Sequence, residues 1–282
     1  MATELTFYKM SGSGNDFVVL DGRLSPPEAW TPRAVAALCD RRQGIGADGL
    51  VVLSPAPEGE GQVRMDFWNC DGSPAAMCGN AALCSTRLAV YLSLAQPEGM
   101  WLQTEAGTFL TRCLPGPGEL AELNLPDVVL PGDHPPVVAP GGAAATTLLT
   151  VGVPHLVVEV PDLEAPGLME RGAVLRHDSG SGPAGANVNF VGQDGPAGAW
   201  RLRTYERGVE GETLACGTGA VAAALALAWS GKAVLPLELV SRSGRSLHIR
   251  ATLSERSATG VWLRGEGRMV FKGAMSAPAR LR

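Results

Sequence analysis

The chain has 282 residues, of which 45% are hydrophobic and 18% are charged, and its formal net charge is −5. This composition is typical of a water-soluble globular protein rather than a disordered or membrane-embedded one. The length suffices for two domains of ordinary size. The negative charge argues against a nucleic-acid partner, because no basic patch stands out that would neutralise phosphates.

The opening sequence MATELTFYKM lacks a basic stretch followed by an apolar core and a cleavage site. We therefore expect no secretory signal and a cytoplasmic location. The longest apolar run, from Ala220 to Trp229, is far shorter than the roughly 20 residues that a membrane span needs, so no membrane partner is expected.

The six cysteines form no CxxC pair, which disfavours a zinc site, and a reducing cytoplasm would keep them as thiols. Four of them, Cys39, Cys70, Cys84 and Cys113, are predicted to be buried structural thiols. No metal is expected in this protein.

The first half of the sequence alternates strand-like runs with two helical ones. Strands are predicted for LTFYKM, DFVVLD, GLVVLS and VRMDFW, which are punctuated by Gly, Asp and Pro. A helix is predicted over Pro32–Arg42, with Thr31 at its start and proline at its first position. A second helix is predicted from Gly79 to Ala95, directly after Cys78.

The second half repeats this organisation. Strands are predicted for TLLTVGV, HLVVEV, NVNFVG, WRLRTYE, LELVSR and SLHIRATL, and a helix from Gly217 to Gly231 follows Cys216. Both cysteine-led helices are apolar on nearly every face, so each must be surrounded by protein. The repetition predicts two similar domains, residues 1–122 and 123–267, joined by the Pro- and Gly-rich stretch 127–145. The last strand-like run, within 268–282, is expected to return to the first domain.

A cysteine at a helix start lies beside backbone N–H groups that have no intrahelical partner and at the positive end of the helix dipole. Both features stabilise a thiolate. The glycines that follow, Gly79, Gly217 and Gly219, allow a carboxylate to approach the same N–H groups. Each cysteine-led helix start therefore combines a potential base with a potential carboxylate site.

Two such units acting on one α-carbon would invert a stereocentre, because one sulfur removes a proton and the other delivers one. This chemistry needs no cofactor. A pyridoxal enzyme would instead need a Schiff-base lysine, and none of Lys9, Lys232 and Lys272 stands in a stretch that resembles a pyridoxal phosphate site. An alternative is a thiol redox or binding protein in which Cys78 and Cys216 form a switching disulfide.

Phosphate-binding motifs give no support for a nucleotide site. The stretch GSGPAG, residues 180–185, matches G-x-G-x-x-G but contains a proline and leads into a strand-like run rather than a helix. We interpret it as a loop. His155, beside strand-like residues, is either a core histidine or a site residue.

The chain resembles the diaminopimelate epimerase family, cofactor-independent enzymes that share their fold with the proline racemases. The resemblance covers nearly the whole length. It is carried by these segments, in the family's order: KMSGSGNDFVVLDG, RRQGIGADGL, NCDGSPAAMCGN, GVPH, GANVNFV and YERGVEGETLACGTGA.

The resemblance implies an α/β fold of two domains, each a curved and mostly antiparallel sheet around a central helix, with the active site in the cleft between them. It implies that Cys78 and Cys216 are the acid/base pair, flanked by His155 and Glu206, and that the protein is a homodimer. The substrate would be a small amino acid, and Glu206 suits its ammonium group. The remaining implied substrate-binding residues are Asn15, Asn69, Gly79, Asn80, Asn187, Arg207, Gly217 and Thr218. Arg207 suits a carboxylate because a guanidinium donates two parallel hydrogen bonds.

Three positions depart from the family pattern. Val153 replaces the usual Asn, Ala81 replaces the glycine of CGNG, and Leu83 replaces an arginine. The first two keep a second alternative open, a racemase or epimerase of a different amino acid on the same scaffold. Retention of Arg207 argues against that alternative, since a substrate without a distal carboxylate would leave the guanidinium unpaired.

Overall fold

The computed structural model describes residues 4–57, 62–130, 146–194 and 198–276. The chain divides into two compact units. The first comprises the described residues of Met1–Leu123 and Arg264–Arg282, and the second comprises those of Asn124–Leu263. Most of the predicted connection 127–145 lies outside the described residues, which resume at Thr146.

The first unit is built on a sheet whose strands follow one another in space as they do in sequence. Its strands are β1 (Glu4–Gly12), β2 (Asn15–Asp21), β3 (Gly49–Pro55), β4 (Val63–Asn69), β5 (Met100–Thr104), β6 (Gly107–Cys113) and β7 (Leu120–Leu125). The pairs β2–β3 and β4–β5 are parallel, and the other neighbouring pairs are antiparallel.

Helix α1 (Pro32–Cys39) covers one face of this sheet. The side chain of Thr31 accepts a hydrogen bond from the Ala34 N–H at 3.2 Å, as predicted for its cap. The predicted end at Arg42 is wrong, because Asp40 leaves the helical conformation. Its carboxylate instead accepts from the N–H groups of Arg42 and Gln43, two and three residues further on, at 2.7 and 2.6 Å.

Helix α2 (Gly79–Tyr91) is the central helix of the first unit and packs against β1 to β6. All residues from Gly79 to Thr86 are buried, as are Leu88 and Ala89. The helix ends four residues before the predicted Ala95, and Ser93 has a positive φ of 57°, which is incompatible with a continuing helix.

The second unit contains a similar arrangement. Its strands are β8 (Val128–Val129), β9 (Thr146–Val151), β10 (Val153–Glu159), β11 (Asn187–Gln193), β12 (Trp200–Glu206), β13 (Gly211–Thr213), β14 (Leu237–Val240), β15 (Ser246–Leu253) and β16 (Ser257–Glu266). The pairs β10–β11 and β12–β14 are parallel, whereas β9–β10, β11–β12, β12–β13 and β14–β15 are antiparallel. After β16 the chain forms β17 (Arg268–Ser276), which pairs antiparallel with β1 in the first unit.

Two helices complete the second unit. Helix α3 (Leu168–Arg176) was not predicted from the sequence, and it packs on β11 and β12. Helix α4 (Gly217–Trp229) is the central helix, two residues shorter than predicted, and packs against β9 to β12, β14 and β15. Its residues from Gly219 to Leu227 are all buried. Their mostly small side chains let the surrounding strands approach the helix closely.

Each unit is therefore a mostly antiparallel sheet packed around one buried helix of 13 residues. This confirms the predicted α/β class with two similar units. None of the helices in the described ranges is long and apolar enough to cross a bilayer.

Candidate active site

The two predicted acid/base cysteines occupy equivalent positions in the two units. Cys78 is the N-cap of α2 with φ −140° and ψ 123°, and Cys216 is the N-cap of α4 with φ −126° and ψ 107°. Both backbones are extended, so the sulfur leaves the chain where the helix begins. The carbonyl of each accepts the first helical hydrogen bond at 2.9 Å, from Ala82 and Ala220 respectively. In neither case does the side chain cap its own helix.

The other four cysteines differ from this pair. Cys39 and Cys84 are buried, and burial raises the pKa of Cys39 to about 12 and that of Cys84 well above its usual value. Cys113 is half-buried, and burial raises its pKa too. The prediction that Cys70 is buried is wrong: it lies exposed immediately after β4, whose last residues are no longer covered. The raised pKa values fit structural rather than reactive thiols.

In the first unit, the start of α2 is joined to the turn between β1 and β2. The Asn80 amide donates to Asn15 Oδ1 at 2.7 Å, and the Asn15 amide donates to Asp48 Oδ2 at 3.1 Å. Gly12 belongs to the same contact, because a Cβ there would lie 2.6 Å from the Asn80 carbonyl oxygen. Cys78, Gly79, Asn80 and Asn15 are thus neighbours in the first unit.

Asp48, which accepts the hydrogen bond from Asn15, belongs to a cluster of ion pairs. Lys9 Nζ is 2.6 Å from Asp16, and Arg41 pairs with Asp16 at 2.6 Å and with Asp48 at 2.7 Å. Lys9 also donates to the Gly46 carbonyl. Burial alone would raise the pKa of Asp16, but hydrogen bonds and positive charge from Arg41 and Lys9 outweigh it and lower that pKa to about 2. The cluster holds the orientation of the Asn15 amide through Asp48.

Asn69 is the one predicted site residue of the first unit that this network does not include. It ends β4, is exposed, and its amide donates to Ser73 Oγ at 3.0 Å. The two substituted positions on α2, Ala81 and Leu83, are fully buried. Leu83 therefore contributes to packing, as its position predicts.

In the second unit, the start of α4 packs directly on β11. Cys216 is 7% exposed, and its sulfur lies 3.8 Å from the Thr218 hydroxyl. A Cβ on Gly219 would lie 2.2 Å from Asn189 Oδ1 and 3.1 Å from Cys216 Sγ. The sulfur and the Asn189 amide therefore border the same point above Gly219, and only a glycine leaves room for both.

His155 lies beside this contact, on β10, and is completely buried. Its Nδ1 is 3.1 Å from the Asn189 amide nitrogen. Burial, followed by the positive charge of Arg207, lowers the pKa of His155 to about 3, against the opposing effect of a hydrogen bond between the ring and the Val151 backbone. No acceptor within the described residues has hydrogen-bonding geometry to Nε2. The ring is therefore neutral at physiological pH.

The remaining predicted residues of the second unit meet where β11 and β12 lie side by side. Asn187 is buried, and its Oδ1 accepts from the Arg207 N–H at 2.7 Å, which fixes the backbone after β12. Arg207 is half-buried and makes no ion pair with any residue in the described ranges. Glu206 is half-buried at the end of β12, and Val153 is half-buried at the start of β10.

Sequence reasoning missed Asn189 and Asp48. Asn189 lies two residues after Asn187, on the same face of β11, so strand alternation would have revealed it. Asp48 lies in the quoted RRQGIGADGL segment, and only its contact with Asn15 distinguishes it. Across the described ranges, His, Cys, Asp and Glu side chains form no group of three or more that could hold a metal ion.

Comparisons with known proteins place this arrangement in a family. The sequence model of diaminopimelate epimerase matches residues 7–115 and 147–260. The diaminopimelate epimerase of Gemmatimonas aurantiaca is 43% identical over 280 residues, which cover 96% of this chain and 99% of that protein. The diaminopimelate epimerase of Aquifex aeolicus is 34% identical, with 96% of this chain and 98% of that protein covered.

Solved structures with the same fold are more distant in sequence. A hydroxyproline epimerase from Agrobacterium vitis with bound trans-4-hydroxy-L-proline has a TM-score of 0.69 and 20% identity, covering 98% of this chain and 94% of that one. A PhzF-family phenazine biosynthesis protein from Bacillus anthracis has a TM-score of 0.71 and 12% identity, covering 97% and 99%. These likenesses concern the fold. The family match and the near-full-length relatives show that the chain belongs to the diaminopimelate epimerase family.

Proposed function

We propose that this protein interconverts LL- and meso-diaminopimelate by a cofactor-independent two-base mechanism, in lysine and peptidoglycan-precursor biosynthesis. Family membership supports the reaction and disfavours both a different amino-acid substrate and a thiol redox protein. The observation that carries the mechanism is the equivalence of Cys78 and Cys216. Each is the extended N-cap of a buried helix, and its side chain makes no hydrogen bond that caps that helix.

The first proposed step is binding of the reacting carboxylate at the two helix starts. The first N–H groups of a helix have no intrahelical partners, and the helix dipole adds positive potential there. Gly79 and Asn80 would supply these donors in the first unit, and Gly217 and Thr218 in the second. Such donors become stronger as negative charge develops on the carboxylate during proton removal.

Two proton transfers at the α-carbon follow. The thiolate of one cysteine takes the α-proton, so a C–H bond breaks and an S–H bond forms. The thiol of the other cysteine gives its proton to the opposite face of the same carbon. The two sulfurs end with exchanged protonation states, and exchange with water resets them. The mechanism requires that both sulfurs reach one α-carbon.

We propose that Glu206 flanks the reacting centre together with His155, and that Arg207 and three asparagines recognise the rest of the substrate, including its distal end. Arg207 would grip the distal carboxylate through two parallel hydrogen bonds, and its guanidinium has no competing ion pair in the described ranges. Glu206 suits an ammonium group. Asn15, Asn69 and Asn187 offer amide groups, of which those of Asn15 and Asn187 are already oriented by Asp48 and by the Arg207 backbone.

The positions of the lysines support a mechanism without pyridoxal phosphate. Lys9 pairs with Asp16 at 2.6 Å and Lys232 with Glu159 at 2.7 Å, while Lys272 lies over the Tyr8 ring at 5.7 Å from its centroid. Each ammonium group is thus engaged by a carboxylate or an aromatic ring of the protein itself, whereas a Schiff-base lysine must be open to the aldehyde of the cofactor. Together with Cys78 and Cys216, this argues for acid/base chemistry by the protein's own thiols.

The test is turnover of LL-diaminopimelate by the reduced protein without added pyridoxal phosphate. Cys78→Ala and Cys216→Ala should each abolish formation of the meso isomer, and Cys70→Ala, which removes an exposed thiol, is the matched control. Full activity in either of the first two variants would exclude the mechanism. Activity that requires oxidised protein would favour a redox role.

The same resemblance leads us to propose a homodimer located in the cytoplasm. Light scattering coupled to size-exclusion chromatography tests the first proposal, because it gives the mass of the particle directly. A monomeric mass at enzyme concentrations that support full turnover would contradict it.

A further inference from the structure

Three neighbouring strands of the second unit carry a buried polar network beneath α4. His155 lies on β10, Asn189 on β11 and Thr204 on β12, and Asn189 and Thr204 are direct cross-strand partners. His155, Asn189 and Thr204 are 0%, 0% and 2% exposed. A fully buried amide is costly unless its hydrogen bonds are made, so the contacts of Asn189 specify how it is oriented.

The orientation of the Asn189 amide follows from its neighbours. Its nitrogen faces the carbonyl oxygens of Asn187 at 3.4 Å and Leu156 at 3.5 Å, and its oxygen accepts from the Thr204 hydroxyl at 3.0 Å. Turned the other way, the amide oxygen would face two carbonyl oxygens and be repelled by them. The group that faces His155 Nδ1 at 3.1 Å is therefore the amide NH₂.

An NH₂ group only donates, so Nδ1 of His155 must accept, and an accepting ring nitrogen carries no proton. The ring proton of the neutral imidazole is then on Nε2. That N–H is buried and, apart from the contact of the ring with the Val151 backbone, it has no acceptor with hydrogen-bonding geometry among the residues that the structure describes. An unmade buried hydrogen bond destabilises the folded protein, and a ligand oxygen that accepts from Nε2 would remove that cost.

We infer that Asn189 is a positioning residue that holds His155 as the neutral tautomer protonated on Nε2, so that the ring meets bound substrate as a hydrogen-bond donor and not as a base. The tautomer stands on the geometry of the second unit alone, whereas the role toward substrate rests on the proposed function. The Asn189 amide and the Cys216 sulfur also share the space above Gly219. The residue that orients the donor thus also limits where the thiol can move.

The experiment is long-range proton–nitrogen NMR of the full ¹⁵N-labelled chain, which distinguishes the two nitrogens of each imidazole. The chain has only four histidines, and a His155→Gln spectrum identifies the signals of His155 by their loss. We expect a proton on Nε2 and a hydrogen-bonded, unprotonated Nδ1. A proton on Nδ1 in the wild-type protein would overturn the inference.

Asn189→Leu removes the donor at nearly constant volume, and Thr204→Val is its control, since it removes a hydrogen bond of the same network but leaves the contact with Nδ1. The Nδ1 signal should move to that of a non-bonded nitrogen in the first variant and stay in place in the second. An unchanged Nδ1 signal in Asn189→Leu would refute the positioning role.

Kinetics separate this inference from the proposed function. Asn189→Leu should lower kcat for diaminopimelate epimerisation roughly 10- to 100-fold, with a smaller change in KM, as expected when a donor to developing charge is misplaced. A changed Nδ1 signal with unchanged kcat would overturn the role toward substrate. If the wild-type protein shows the expected tautomer but does not turn over diaminopimelate, the proposed function fails while the tautomer stands.

Discussion

Gly219→Ala tests how closely α4 must approach β11. The added methyl group would lie 2.2 Å from Asn189 Oδ1, 3.1 Å from Asn189 Cγ and 3.1 Å from Cys216 Sγ. Ordinary contact for a Cβ begins at 3.4 Å, so the amide oxygen would have to move by about 1 Å. Asn189 has no room for this movement without breaking its hydrogen bonds to His155 and Thr204.

The change in the free energy of unfolding caused by Gly219→Ala is the sum of two destabilising effects and one stabilising effect. Overpacking a core costs about 1–3 kcal/mol, and loss of the hydrogen bond from Thr204 adds about 1 kcal/mol. The replacement of a helical glycine by alanine returns about 0.5–1 kcal/mol. We expect a net loss of about 2 kcal/mol in the free energy of unfolding, or a Tm lower by about 4–8 °C.

The same substitution should also lower the catalytic rate constant kcat. A displacement of about 1 Å near a reacting group costs on the order of 100-fold in rate, so kcat should fall roughly 10- to 100-fold. The measurements are thermal unfolding and steady-state epimerisation. Gly99→Ala is the control, because its Cβ would meet its nearest atom at 3.8 Å. If Gly219→Ala is as stable and as active as Gly99→Ala, the packing described above Gly219 is wrong.

Three further predictions concern charged groups. Asp48→Asn weakens the contact that orients the Asn15 amide, so it should raise KM about tenfold with little change in kcat. Steady-state kinetics measure both constants, and a change in kcat alone would contradict the role of Asp48 in orienting Asn15. The lowered pKa of Asp16 means that its stabilisation, about 2 kcal/mol, is complete above pH 4 and is lost as the pH falls toward 2. Urea unfolding of Asp16→Asn should therefore show less stability at pH 7 and a weaker dependence on pH below 4, and an unchanged dependence would exclude Asp16 as its source. Arg207→Met should raise KM roughly 10- to 100-fold, because a charge-assisted pair with the distal carboxylate is lost, while Tm stays constant; a fall in Tm would reveal a structural ion pair instead.

The features that local sequence specifies were predictable. Thr31 followed by proline predicted the start of α1, and the Cys-Gly steps before apolar runs predicted the starts of α2 and α4. Those runs lack a polar face, which is sufficient to predict burial within a sheet. The two similar units follow from the repetition of this pattern around Cys78 and Cys216.

The features that depend on tertiary contacts were missed. Helix α3 contains Gly172, a poor helix former, and a Cβ there would lie 2.8 Å from Tyr205 Cβ, so close packing on β12 determines this helix. Cys70 was expected to be buried, but the end of β4 is uncovered, which its composition does not reveal. The sequence marks Asn189 only as a strand residue, and its contacts with His155 and with the space beside Cys216 depend on tertiary structure.

The most direct test of the central claim, two separate bases, is proton NMR of LL-diaminopimelate in D₂O during the first few per cent of conversion, with reduced protein and no pyridoxal phosphate. Because one sulfur removes the α-proton and the other delivers a solvent-derived deuteron, we expect meso-diaminopimelate to carry deuterium at the inverted carbon from the start, while unreacted LL substrate keeps its proton. A meso product that retains the substrate's own proton would show that a single group both removes and returns it, and would contradict the assignment of Cys78 and Cys216 as the acid/base pair.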